Sequence, residues 1–106
     1  MIKHKKKLYG WSRSTWSNSS LYKPSSIKQL HKVIDIAKSN KNTIICRAGA
    51  RSYSDNTLNS NQIIIDITNF NNILNWDKES GIIQLQGGVT IEQVMLLCVQ
   101  SGWISP

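Results

Sequence analysis

Thr43-Ile44-Ile45-Cys46 is a short apolar run that stops abruptly at three small residues, Ala48-Gly49-Ala50. The run reads as a buried strand, because β-branched residues pack well on a pleated surface. Small side chains after it let a ligand approach the backbone. Gly49 admits the positive φ that a tight turn often needs. Successive peptide N–H groups in such a turn converge into a concave anion site. Arg47 and Arg51 flank the turn with charge, and Ser52, Tyr53 and Ser54 add hydroxyl donors. A diphosphate needs a set of this kind. The same residues also fit an ordinary turn with Arg51 solvated. The pattern is neither a Walker loop nor a G-x-G-x-x-G fingerprint.

The elements around the turn follow from periodicity and caps. Ser26 is a good N-cap with Gln29 three residues on, the spacing of a capping box. Ile27, Leu30, Ile34 and Ala37 then fall on one helical face, and the helix should end near Ser39-Asn40. Residues 56–61 are polar and turn-like. Gln62-Ile63-Ile64-Ile65-Asp66-Ile67 is a second buried strand; Asp66 interrupts it either as a ligand group or, the favoured reading, as a carboxylate satisfied by neighbouring N–H groups. Residues 76–81 make a hairpin-like connection into the alternating strand 82–86. Thr90 and Gln93 form another capping box, and Ile91, Val94, Met95 and Cys98 line a helix that Gly102 stops. The expected order is helix, strand, loop, strand, strand, helix, an α+β pattern.

The 106 residues allow one small domain, and the net charge of +7 is concentrated before Ala48. A basic half implies either polyanion contact or a solvated lysine-rich surface. The second is favoured, because basics and aromatics do not interleave along the chain as in a nucleic-acid motif. Residues 1–9 read as a basic leader, mobile up to Lys7, and residues 10–20 as irregular. Cys46 and Cys98 are far apart with no clustered histidines, so a metal site is not expected. Both read as buried, reduced thiols, with a disulfide left open. No apolar run approaches the roughly 20 residues of a membrane span, and no hydrophobic signal core follows the lysines, which implies a cytoplasmic chain.

The segment Arg47 to Asp55 resembles the R-G-x-G-R-S-Y-G-D signature of flavin-linked oxidases with a vanillyl-alcohol-oxidase or PCMH-type FAD-binding domain, above all the decaprenylphosphoryl-ribose 2-oxidase-like branch. Arg47, Arg51, Ser52, Tyr53 and Asp55 match it. Ala48, Ala50 and Ser54 stand where the signature has glycines, and Gly49 takes the variable position. Gly10-Trp11-Ser12-Arg13 resembles the branch's Gly-Trp-x-Arg opening, Ile65-Asp66-Ile67-Thr68 its second strand, and Gly87-Gly88-Val89-Thr90 its Ala-Gly-Val-Ser/Thr turn.

The resemblance implies that residues 10–106 are the N-terminal portion of an FAD-binding domain. Arg47, Ala48, Gly49, Ala50, Arg51, Ser52, Tyr53, Ser54, Asp55 and Asn56 would then hold the FAD pyrophosphate. Arg51 stands where some members tether flavin through a histidine, so the FAD would be noncovalent. The substrate would be an alcohol carbon of a sugar or polyol derivative, with no specific nucleic-acid partner. The family's next glycine-rich stretch lies past Pro106, so weak or absent FAD binding by this piece alone is expected, and no catalytic residue is nominated. An aldonolactone or alditol oxidase, or a flavin reductase, is the nearest alternative among complete enzymes. Outside them stand an inactive remnant and a small basic polyanion-binding module.

Overall fold

The computed structural model describes residues 3–51 and 56–104. The chain divides into two compact units, Met1–Asn69 and Phe70–Pro106.

The first unit opens with a hairpin of strands β1 (Lys3–Tyr9) and β2 (Trp16–Tyr22). It continues with helix α1 (Ile27–Asn40), strand β3 (Ile44–Arg47) and strand β4 (Ile63–Asp66). The strands form one sheet in the order β1-β2-β4-β3, with β4 parallel to both β2 and β3. Parallel strands require a crossover, and α1 lies on the one from β2 to β3, which flank β4 on either side. Tyr22, Val33, Ala37, Ile63 and Ile65 form the core beneath α1, with Leu30, Ile36, Ile44 and Ile67 packed against it. In β4, Ile63, Ile64 and Ile65 are all buried, as expected for a strand covered on both faces.

Several expectations need correction here. The basic residues 3–9, read as a leader, form β1, and the stretch read as irregular yields β2. Lysine, serine and asparagine are weak strand formers in isolation. They are tolerated because β1 is an edge strand whose residues Lys3–Lys7 are exposed, while β2 is held by ladders on both sides. The buried line of α1 is Val33 and Ala37, whereas Ile27 in the first turn is 57% exposed. The Ser26 hydroxyl caps the Gln29 N–H, but the Gln29 side chain accepts from the N–H and hydroxyl of Ser25, so the box closes one residue early. Cys46 is exposed and Cys98 buried, and both are free.

The second unit holds an antiparallel hairpin, β5 (Ile73–Asp77) and β6 (Ile82–Leu85), then helix α2 (Ile91–Cys98) and a short 3-10 turn, Val99–Ser101. Strand β5 was missed because Asn75 and Asp77 are poor strand residues. The Thr90–Gln93 capping box is complete in both directions. Gly102 adopts φ 80° and its N–H returns to the Val99 carbonyl, the stop expected of it. Ile91, expected on the apolar face of α2, is 68% exposed.

The turn between β5 and β6 is organised by Asp77. Its carboxylate accepts from the N–H groups of Glu79 and Ser80 and from the Ser80 hydroxyl. The Ser80 hydroxyl, then the two N–H groups, hold the Asp77 carboxyl below the usual carboxylate range. A depressed folded-state pKa contributes stability above the ordinary carboxylate pKa, and that stability disappears as pH falls through the folded value. Melting temperatures across acid pH are therefore expected to fall less steeply in Asp77→Asn than in the parent.

Candidate FAD-binding site

Strand β3 ends at Arg47, opposite Asp66 at the end of β4. The two residues terminate parallel strands on the same edge, so the segments leaving them start side by side. The Arg47 guanidinium donates to the Tyr9 carbonyl at 2.9 Å and to the Thr57 hydroxyl at 3.1 Å. It thereby joins the end of β1, the end of β3 and the segment that returns to β4. Partial burial pulls its pKa down from the ordinary value, and the Asp66 carboxylate works against that shift. Asp66 itself accepts from the Thr68 N–H at 2.9 Å and the Thr68 hydroxyl at 2.6 Å, as its place in the strand led one to expect.

The turn after Arg47 lies open. Ala48, Gly49 and Arg51 are exposed and Ala50 is half-buried. The left-handed residue is Ala50, with φ 56°, one position beyond the glycine expected to supply it. A Cβ added to Gly49 would come no nearer than 3.9 Å to another atom, the Arg51 Cγ, so the small side chain there leaves open space. Asn56 is also exposed, and Thr57 is buried beside it. Ser52, Tyr53, Ser54 and Asp55 lie outside the described residues. The structure thus ties Arg47 to Tyr9 and Thr57 and leaves Ala48, Gly49 and Arg51 facing solvent, with Ala50 half-buried. Thr57 was missed by sequence reasoning; a polar residue just past a turn carries no signal that it will receive an arginine.

An alanine at φ 56° is strained by roughly 1–2 kcal/mol relative to its ordinary backbone regions. Ala50→Gly is expected to raise stability by up to about 1 kcal/mol, less whatever entropy the more flexible unfolded chain regains. Chemical denaturation at neutral pH checks it.

A known family model, described as an FAD binding domain, matches residues 19–106. The chain belongs to this FAD-binding family. Decaprenylphosphoryl-β-D-ribose oxidase of Mycolicibacterium smegmatis is 27% identical over 101 residues, which are 93% of this chain and 22% of that protein. Among solved structures, a variant of BBE-like 1 from Physcomitrella patens superposes with a TM-score of 0.70 at 17% identity, covering 92% of this chain and 21% of that one. CrmK, a flavoenzyme of a shunt-product recycling mechanism in caerulomycin biosynthesis, gives 0.64 at 17% identity over 77% of this chain and 17% of that one. The fold is therefore α+β of the PCMH type, and the chain spans about a fifth of the length of these relatives.

The residues of this FAD-binding domain suit a diphosphate. Small exposed residues leave peptide N–H groups within reach of phosphate oxygens, and the left-handed Ala50 changes the direction of the chain within the turn. Arg51 adds an exposed guanidinium able to make paired, charge-assisted hydrogen bonds.

Proposed function

We propose that this chain is the portion of a flavin-dependent oxidoreductase that holds the FAD pyrophosphate in the turn 47–56. The observation that carries the reading is the open turn of Ala48, Gly49 and Ala50, anchored by the half-buried contacts of Arg47 to Tyr9 and Thr57. The peptide N–H groups of residues 48–51 bind phosphate oxygens, and Arg51 neutralises their charge. Arg47 acts one step back: it fixes the turn against the hairpin and the strand ends. Asn56 closes the turn on its far side. FAD, when bound, supplies the hydride acceptor. The substrate is an alcohol carbon of a sugar or polyol derivative, in keeping with the ribose named for the Mycolicibacterium relative. The flavin stays noncovalent, because arginine offers no linkage where some relatives of this type carry a histidine.

Titration of FAD followed by flavin fluorescence, with inorganic pyrophosphate as competitor, tests this. Arg51→Met is expected to weaken binding about tenfold or more, the value of a charge-assisted hydrogen bond, while Lys41→Met leaves it unchanged. Acid precipitation should release all of the flavin. Equal affinity of Arg51→Met and the parent would overturn the assignment of the turn.

A further inference from the structure

Strand β1 is an edge of the first sheet, paired only to β2 among the described residues. It carries Lys3, Lys5, Lys6 and Lys7, all exposed. No Asp or Glu precedes Asp35 in the chain, although Asp66 shares a second groove with Lys6. Side chains alternate along a strand, which puts Lys3, Lys5 and Lys7 on one face, about 7 Å apart, and Lys6 on the other. A groove of about 510 Å³ runs beside them, lined by these lysines together with Asn18 and Ser20. Its walls are ammonium groups, the hydroxyls of Ser19 and Ser20 and the amides of Asn18 and Asn61, which suits phosphate oxygens.

We propose that β1 is a docking strand for an anionic lipid surface, with headgroup phosphates seated among Lys3, Lys5, Lys6 and Lys7. Four basic side chains on one short exposed segment are the charge density that acidic membranes attract. A single-stranded nucleic acid is the other polyanion of this charge, and it needs open aromatic faces on which bases stack. The aromatic rings beside β1 already have cations over them. Lys7 Nζ lies 4.4 Å from the Trp16 ring and 5.5 Å from that of Tyr9, and Arg13 lies 4.5 Å from Tyr9. Lys3 Nζ lies 5.9 Å from the ring of Tyr22, which is itself buried. Trp16 is 52% exposed and Trp11 55%, so stacking surface remains and RNA is the competing outcome that the test separates; the density of charge on one edge strand favours the lipid surface. This inference is independent of FAD, since β1 supplies it without the turn 47–56.

The test is co-sedimentation of the full chain with vesicles of phosphatidylcholine alone and of phosphatidylcholine with phosphatidylglycerol. Binding is expected only to the anionic vesicles and should weaken as salt shortens the screening length. The variant Lys3→Gln/Lys5→Gln/Lys6→Gln/Lys7→Gln should lose binding by roughly a hundredfold or more, since each lysine near the surface contributes about fivefold. A control with the same change in net charge, Lys28→Gln/Lys32→Gln/Lys38→Gln/Lys41→Gln on α1 and its C-cap, should keep most of it. If the β1 variant does not fold, Lys5→Gln/Lys6→Gln decides the matter, with roughly a twentyfold loss expected. Equal binding to neutral vesicles, equal loss in the α1 control, or tighter binding of a mixed-sequence RNA at the same salt would each overturn the proposal.

Discussion

Ile65→Ala is expected to destabilise the first unit by roughly 3–4 kcal/mol, and Ile65→Val by about 1 kcal/mol. Ile65 is 1% exposed and belongs to the cluster with Tyr22, Val33, Ala37 and Ile63 that joins α1 to the sheet. Removing its outer carbons loses their transfer free energy and leaves a void between helix and strand. The strand cannot move to fill it, because β4 is bonded on both sides, to β2 and to β3. A domain of this size is stable by only about 5–15 kcal/mol, so the alanine variant forfeits a large share. Ile27→Ala is the matched comparison, since Ile27 is 57% exposed and its truncation should stay within about 0.5 kcal/mol of the parent. Urea denaturation of the three variants checks the order. A loss below 1 kcal/mol for Ile65→Ala would show that the helix does not pack on β4 as described.

Gly81→Ala is expected to lose roughly 2–5 kcal/mol, for two separable reasons. Gly81 has φ 75°, where a Cβ costs about 1–2 kcal/mol. The added Cβ would also lie 2.8 Å from Cη2 and Cζ3 of Trp103, too close for carbon atoms. The ring has little freedom to withdraw, because its Nε1 donates to the Lys78 carbonyl at 2.7 Å. Forcing extra volume into a packed site costs about 1–3 kcal/mol. A double-mutant cycle separates the parts: in a Trp103→Ala background the steric part should vanish and only the backbone part, about 1 kcal/mol, should remain. A cost unchanged in that background would place the whole effect in the backbone. Tryptophan fluorescence during denaturation follows the single variant, and circular dichroism the double.

Much of this was legible from residue patterns, because the decisive residues act locally. Thr90 and Gln93 meet within one helical turn, and their spacing announces the capping box. The β-branched run 63–65 can hardly be anything except a buried strand. The family could be read from Arg47, Arg51 and the small residues between them, because that spacing carries a chemical demand. The pairing of β1 with β2 had no comparable signal. Lys3 to Lys7 form a strand because Ser17 to Tyr22 lie beside them, and β2 is a strand because Ile63 to Ile65 hold its other side. Partners so distant in sequence leave no local periodicity. The position of the left-handed residue was missed for a similar reason. Gly49 has the freedom, but the geometry of the strand ends imposes the conformation on Ala50.

The contacts of Arg47 also set an order of events in time. Its guanidinium meets Tyr9, 38 positions earlier, and Thr57, 10 positions later. The contact with Tyr9 cannot form until the β1–β2 hairpin has docked beside β4, a step that closes a long loop and is correspondingly slow. The anchoring of the turn after β3 is therefore completed after the sheet has assembled. Replacing Arg47 should accelerate unfolding while leaving the refolding rate nearly untouched, so that the turn after β3 is among the last parts of the first unit to become native.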